Sequence, residues 1–394
     1  MTPLIPVEEA QRRLLSTLTP VPIEHVTLTE AIGRWAAADM PARRDQPAVD
    51  LSAMDGYAIR HADMPGPWRI VGESAAGRPF DGTVGPGEAA RIFTGAAMPA
   101  GTDSVLIQEE AARDGQHLTL TGEGPPARGR NVRPRGLDFF AGDTLVSAGE
   151  RLTPARLAVL AIGGHSQVPV RRRVRVAIAA TGDELVAAGQ PVTGTALPES
   201  NRLLLSAMLA DLPVDIIDLG ILPDELTVLR DAFAGVEADL LVTTGGASVG
   251  DHDLVRPALE AAGGTIDFWR VALRPGKPMM AGRIGAMPVL GLPGNPVSAF
   301  VTALLFVRPV IAALAGAGDP LPVPVTATLG EDLPANGART DYLRATLQAG
   351  RVFASTIQDS SMLRTLARAD CLVIRPAHAA SARAGESAEI LLLG

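Results

Sequence analysis

Three loops of this sequence combine small, stiff and charged residues in a way that suits phosphate and oxyanion chemistry. The segment Thr244-Gly245-Gly246-Ala247-Ser248-Val249-Gly250-Asp251 follows an apolar run at 239–243. Its glycines let backbone approach an anion closely, and the N–H groups at a following helix start stabilise a phosphate. The same residues also suit a plain strand-to-helix turn with Asp251 as N-cap, and the Gly-Lys-Ser/Thr ending of an ATPase P-loop is absent. A second junction, Gly291-Leu292-Pro293-Gly294-Asn295-Pro296-Val297-Ser298, carries stiffening prolines after the run at 287–290. Between them, Arg274-Pro275-Gly276-Lys277-Pro278 sets two cations in a rigid turn. Lys277 is the only lysine in the chain, which favours a specific task for a compact cation.

Carboxylates punctuate the same series. Thr181-Gly182-Asp183-Glu184-Leu185 and Pro223-Asp224-Glu225 follow two further apolar runs, and Asp251 and Asp253 follow a third. Each acidic group alone suits helix capping; together they suit Mg²⁺, which takes oxygen ligands and bridges to substrate phosphates. Asp55-Gly56, within Ser52-Ala53-Met54-Asp55-Gly56-Tyr57-Ala58, and Thr94-Gly95 read as turns on their own terms.

The elements that must position these loops alternate in type. From Val174 to Leu314 the pattern predicts strands at 174–179, 214–219, 239–243 and 287–290, with a strand-like stretch at 266–273. Helices are predicted at 202–210, 226–233, 254–262 and 297–314, giving a βα series on a mostly parallel sheet. Ligands of such sheets bind beyond the carboxyl ends of the strands, where the loops above lie. Residues 6–38 predict helix, short strand, helix; Thr153-Pro154 caps another helix at 155–162, expected to pair with the N-terminal ones. Short β-like runs at 68–71, 90–93, 104–107 and 118–120 predict a β-rich insertion. Gly316 to Pro324 reads as a linker to a small C-terminal β barrel or sandwich.

Composition removes several function classes. The 394 residues are 47% hydrophobic and 20% charged, a folding composition long enough for several domains. A net charge of −8 and only nine Phe, three Trp and two Tyr argue against nucleic-acid binding. The single Cys371 excludes an internal disulfide. No basic-then-apolar leader begins the chain, and charged or Gly/Pro residues interrupt the apolar runs, so no membrane association and a cytoplasmic location are expected.

At these motifs the sequence resembles the molybdopterin molybdenumtransferase family, MoeA and the gephyrin E domain. The resemblance runs through Ser52 to Ala58, Arg91 to Gly95, Asn131 to Asp138, Thr181 to Leu185, Ser200-Asn201-Arg202, Thr244 to Asp253, Pro275 to Pro278 and Gly291 to Ser298. It implies four parts: a helical linker domain (1–44 with 131–172), a β-rich insert (45–130), an α/β molybdopterin-binding domain (173–316) and a C-terminal β barrel (317–394). It also implies a homodimer whose site draws on both subunits, and the reaction of adenylylated molybdopterin with molybdate to give molybdenum cofactor and AMP, assisted by Mg²⁺ or a similar cation. Asp55, Glu184, Asp224 and Lys277 take the catalytic roles, the three carboxylates as metal ligands. Thr94, Asp138, Gly245, Gly246, Ser248, Asp253, Arg274, Pro278, Gly294, Asn295, Ser298, Arg339 and Ser360 take substrate-binding roles. Other cofactor-biosynthesis and molybdoenzyme-maturation proteins are implied partners. Two departures stand out: Arg274 where many relatives carry Lys, and Asp359, beside Ser360, where a glycine is frequent. Adenylylation of molybdopterin, the preceding step, and a nonenzymatic gephyrin-like scaffold are the alternatives.

Overall fold

In the computed structural model, which describes residues 4–246 and 253–393, a six-stranded sheet stands at the centre of the chain. Its strands lie in the order Val214–Leu222, Val174–Thr181, Leu240–Thr244, Met287–Leu292, Met280–Ile284 and Thr265–Phe268. The first four run parallel, and Met280–Ile284 and Met287–Leu292 form an antiparallel hairpin. Val174–Thr181 and Leu240–Thr244 are buried almost throughout, as expected of parallel strands covered on both faces. Helices Asn201–Leu209 and Pro296–Thr302 cover one face through Leu205, Leu209, Val297 and Val301; Leu226–Gly235 and Val255–Ala261 cover the other through Leu229, Phe233, Val255 and Leu259.

Two elements here differ from the sequence expectation. The helix expected at 297–314 winds as a π-helix over Ala303–Val307 before resuming at Arg308–Leu314. The run Pro296–Leu314 is long and apolar enough to cross a membrane, but 78% of it is buried in the protein, where it serves as core. The strand-like stretch 266–273 is two short strands. After Thr265–Phe268 the chain leaves the sheet, and Leu273–Arg274 pairs in parallel with Thr340–Asp341 of the C-terminal domain.

That C-terminal domain is a closed barrel of five strands. Val325–Leu329 pairs with Arg351–Ala354 and Ser387–Leu392, and Cys371–Arg375 joins Ser387–Leu392 to Thr340–Gln348, which returns to Arg351–Ala354. Closure removes the free edges a sandwich would keep. The β-rich insert is a second six-stranded sheet containing Gly56–Ile59, Trp68–Ser74, Glu88–Ile92 and Ser104–Ile107. Gly56 is required by close packing there: a Cβ would lie 2.0 Å from the Leu106 carbonyl oxygen.

In the N-terminal region the second helix expected before Ala38 is absent. Residues 28–33 form turns, Thr27 donates from its backbone N–H and its hydroxyl to Glu30, and Gly33 adopts φ +74°. Trp35 and Ala36 then bridge to Arg151 and Val170, so β pairing wins over a helix too short to hold itself. Thr153 does cap helix Pro154–Ile162 through the Arg156 N–H. This helix packs not on Val7–Ser16 but on a cluster of Met40, Val146, Leu152, Val168 and Val170. Val7, Ala10 and Leu14 instead join Ile311 and Leu314 in the core of the central domain.

Candidate functional site

The carboxyl ends of the parallel strands open into a cleft of about 630 Å³. Its wall contains Thr181, Gly182, Glu184, Asn201, Asp224, Gly245, Gly246, Asp253, Pro278, Gly294 and Asn295. Eight candidates from the sequence thus meet in one place: Glu184, Asp224, Gly245, Gly246, Asp253, Pro278, Gly294 and Asn295. Ser248, also predicted, lies outside the described residues.

Backbone packing explains the glycines. Gly245 adopts φ +89°, and a Cβ there would meet the Thr181 carbonyl oxygen at 2.3 Å. Gly246, at φ +57°, would place a Cβ 2.7 Å from Val255 and 2.9 Å from the Thr181 hydroxyl. A Cβ on Gly294 would lie 3.5 Å from the Gly245 Cα, so the two glycine loops face each other across bare backbone. Asn201 ties this wall together by donating from Nδ2 to the Gly294 carbonyl at 2.7 Å. That bond fixes the amide orientation, and among the described residues Oδ1 is left buried without a partner, as is the Thr181 hydroxyl.

The acidic side of the cleft is electrostatically tense. Burial raises the Asp224 carboxyl above the usual carboxylate range, and the charges of Asp183, Glu184 and Asp253 push the same way, against a backbone hydrogen bond with Asp183. The Asp224 N–H donates to Asp183 Oδ1 at 3.1 Å. Among the described residues no three His, Cys, Asp or Glu side chains converge tightly enough to cage a metal ion by themselves. Among the described residues the arrangement is therefore not an all-protein cage, and the predicted trio of Asp55, Glu184 and Asp224 does not form one within a single chain. It fits Mg²⁺ in its usual mode, in which one or two carboxylates share the ion with substrate phosphates and water.

The remaining candidates divide by location. Lys277 is exposed and stands next to the wall residue Pro278; its carbonyl accepts from the Val271 N–H. Arg274 is ion-paired with Asp341 of the barrel. Arg339, whose carbonyl accepts from Asn336 Nδ2, is near enough to act on the same Asp341 carboxylate. Ser298 is only 4% exposed, in the first turn of helix Pro296–Thr302. Ser360 reaches the cleft rim from the barrel: its hydroxyl accepts from Asn295 Nδ2 at 2.9 Å and its carbonyl from the Val297 N–H at 3.1 Å. Its neighbour Ser361 lines the cleft and carried no sequence signal of its own.

Asp55, Thr94 and Asp138 do not line this cleft. Asp55 accepts from the Thr94 N–H at 2.7 Å and its hydroxyl at 2.8 Å, and these bonds hold its carboxyl below the usual range. Arg91 lies 4.7 Å over the Phe93 ring and donates to the Gly56 carbonyl, bracing the loop. Asp138 is exposed, its N–H bonded to the Gln46 carbonyl. Asp55 and Thr94 of the insert thus form a second pair of candidates apart from the cleft, with Asp138 beyond the insert.

Comparison with known proteins covers the whole architecture. Residues 5–164 match the family described as MoeA N-terminal region (domain I and II), 177–313 the probable molybdopterin binding domain, and 326–393 the MoeA C-terminal region (domain IV). The chain is 34% identical to the molybdopterin molybdenumtransferase of Haemophilus influenzae, over 98% of both chains. It is 32% identical to that of Bacillus subtilis, over 99% of this chain and 94% of the relative. A crystal structure of the molybdopterin biosynthesis moeA protein from Pyrococcus horikoshii OT3 superposes with a TM-score of 0.86 at 28% identity, covering 99% of this chain and 100% of the other.

Proposed function

Because this chain belongs to the molybdopterin molybdenumtransferase family, we propose that it transfers molybdenum from molybdate to adenylylated molybdopterin, releasing AMP. The observation that carries this reading is the convergence of two bare glycine loops with Glu184 and Asp224 on one cleft at the sheet's carboxyl edge. Such a cleft suits a phosphoanhydride: Gly245, Gly246 and Gly294 let its oxygens approach backbone, Ser298 lies in the first turn of helix Pro296–Thr302, and Ser248, two residues on from Gly246 in sequence, is a further candidate to bind it. Asn295, Pro278 and Asp253 shape the wall around it.

Asp224 and Glu184 would hold Mg²⁺, which when bound supplies positive charge to the anhydride and to the leaving AMP. Lys277, at the exposed edge, meets the molybdate dianion, joined by Ser360 on the rim and by the Arg274 and Arg339 cations near it. The reaction asks for positioning and charge neutralisation rather than a covalent nucleophile. Asp55, with Thr94 and Asp138, acts from the second subunit of a homodimer and completes the site in trans. The protein works in the cytoplasm and passes its product to molybdoenzyme-maturation partners.

The test is direct. Purified protein given adenylylated molybdopterin, Mg²⁺ and molybdate should release AMP only when molybdate is present and yield cofactor that activates a molybdenum-free apoenzyme. Adenylylation of molybdopterin from ATP instead would establish the preceding step. Absence of both reactions would leave a scaffold.

A further inference from the structure

We infer that Arg344, a residue outside the cleft, is a positioning residue that sets the oxyanion end of the site by clamping the loop carrying Ser360 and Ser361. The inference rests on the proposed molybdate transfer, since it concerns the same end of the cleft.

Arg344 is 1% exposed, lies on the barrel strand Thr340–Gln348, and makes no ion pair among the described residues, although the charge of Asp359 acts on it. Its guanidinium is spent on one loop. Nη1 donates to the carbonyls of Asp359 at 2.9 Å and Met362 at 3.3 Å, Nη2 to that of Ile357 at 3.2 Å, and Nε to Gln358 Oε1 at 3.3 Å. Gln358 returns the grip by donating from Nε2 to the carbonyls of Arg344 at 3.0 Å and Ser355 at 2.9 Å. On the loop's other side Asp359 Oδ1 accepts from the Ser361 N–H and hydroxyl at 2.8 and 2.6 Å. Residues 357–362 are therefore held from behind by a buried cation and folded into a tight turn in front.

The front of that turn docks on the sheet domain. Ser360 bonds Asn295 and the Val297 N–H at the start of helix Pro296–Thr302, and Ser361 lines the cleft. A buried guanidinium that satisfies carbonyls of an exposed loop stabilises one loop conformation out of many, because hydrogen bonds to a charged group are stronger than neutral ones. Losing that grip displaces hydroxyls that must sit within hydrogen-bond reach of a tetrahedral anion, while the nucleotide end, built on Gly245 and Gly246, stays in place.

The experiment titrates molybdate at saturating adenylylated molybdopterin in Arg344→Met and Gln358→Ala proteins. Asp332→Ala serves as a control that loses a bond to Ala384 elsewhere on the barrel. Each clamp variant should raise the molybdate KM about tenfold, a change of about 1.4 kcal/mol. The nucleotide-substrate KM and the kcat at saturating molybdate should stay within about twofold, and amide exchange across residues 357–362 should quicken. Should Arg344→Met fail to fold, Gln358→Ala carries the test alone. A clamp variant with accelerated exchange but wild-type molybdate KM, or one raising both KM values equally, overturns the inference. Absence of molybdate-dependent turnover in the unaltered protein instead sinks the proposed function.

Discussion

The guanidinium of Arg274 pairs with the carboxylate of Asp341 across the junction between the sheet domain and the barrel, beside the parallel pairing of Leu273–Arg274 with Thr340–Asp341. The two partners are unequal, for the Asp341 side chain is 5% exposed and that of Arg274 is 55% exposed. Burial holds the Asp341 carboxyl above its ordinary range even though Arg274, Arg339 and Arg375 all pull it down. The cation predicted to meet substrate is thus also a strut between domains.

Removing that cation strands a buried charge, so Arg274→Ala should cost about 1–3 kcal/mol at neutral pH. A carboxyl raised in the folded state binds its proton more tightly folded than unfolded, so its stability contribution falls as pH rises from 3.8 through the raised value. Arg274→Ala lifts the folded value further, and its stability deficit should be larger at neutral pH than near pH 4. Asp341→Asn should abolish this pH dependence. Urea unfolding of both variants at the two pH values measures it; equal deficits at both would mean that the pair does not govern the junction.

Asp224 offers a test of the cation site that needs no turnover. Its carboxyl is raised by burial and by Asp183, Glu184 and Asp253, so the metal-free protein should lose stability as pH rises through the Asp224 titration. Asp224→Asn should remove this loss and melt no lower than the wild type without metal. Mg²⁺ should raise the wild-type melting temperature, by about 2.7 kcal/mol of binding free energy at a hundredfold excess over Kd, and leave the variant unmoved. Calorimetry with and without Mg²⁺ decides; equal shifts in both proteins would remove Asp224 from the cation site.

Two glycines with similar dihedrals separate backbone strain from close approach. Gly189 adopts φ +85° with open space where a Cβ would go, whereas Gly245 at φ +89° faces the Thr181 carbonyl at 2.3 Å. Gly189→Ala should cost only the left-handed penalty of about 1–2 kcal/mol. Gly245→Ala must also displace backbone, so it should cost more and weaken AMP binding, which isothermal titration can read. Equal stability losses and intact AMP binding in both would mean that the Gly245 loop yields freely.

These contrasts show what was legible in the sequence. The strands ending at Thr181, Leu222, Thr244 and Leu292 were readable from their apolar runs, and with them the loops that form the cleft, because ligand loops sit where parallel strands end. Asn201 and Thr181 stand within Ser200-Asn201-Arg202 and Thr181 to Leu185, but their buried atoms, without partners among the described residues, are set by loops far apart in the chain. Arg344 had no local signal, since it acts through carbonyls 13 to 18 residues away. Helical periodicity near Ala31 misled because turn bonds between Thr27 and Glu30 and bridges to Arg151 and Val170 settled the backbone first.

Asp55 tests whether the site is shared between subunits. Among the described residues its carboxylate accepts only from Thr94, and Asn could accept the same two hydrogen bonds through its amide oxygen. The low carboxyl pKa means that Asp55 is ionised at neutral pH, and its stabilising contribution is lost only as pH falls below 3.8 through the depressed value. Asp55→Asn keeps both hydrogen bonds to Thr94 and should keep its fold, giving up at neutral pH only the contribution of the charge itself. If the carboxylate acts in trans, it should lose at least about a hundredfold in turnover, because the lost group carried charge to the reacting anhydride. Lys277→Ala should lose activity at ordinary molybdate and recover part of it at high molybdate. Mixing the two inactive homodimers under subunit exchange should restore one intact site per heterodimer, and so about half the wild-type activity in that species. Verified heterodimers without recovery would place Asp55 and Lys277 in the same site of one chain, and full activity of Asp55→Asn alone would return Asp55 to a turn-forming role.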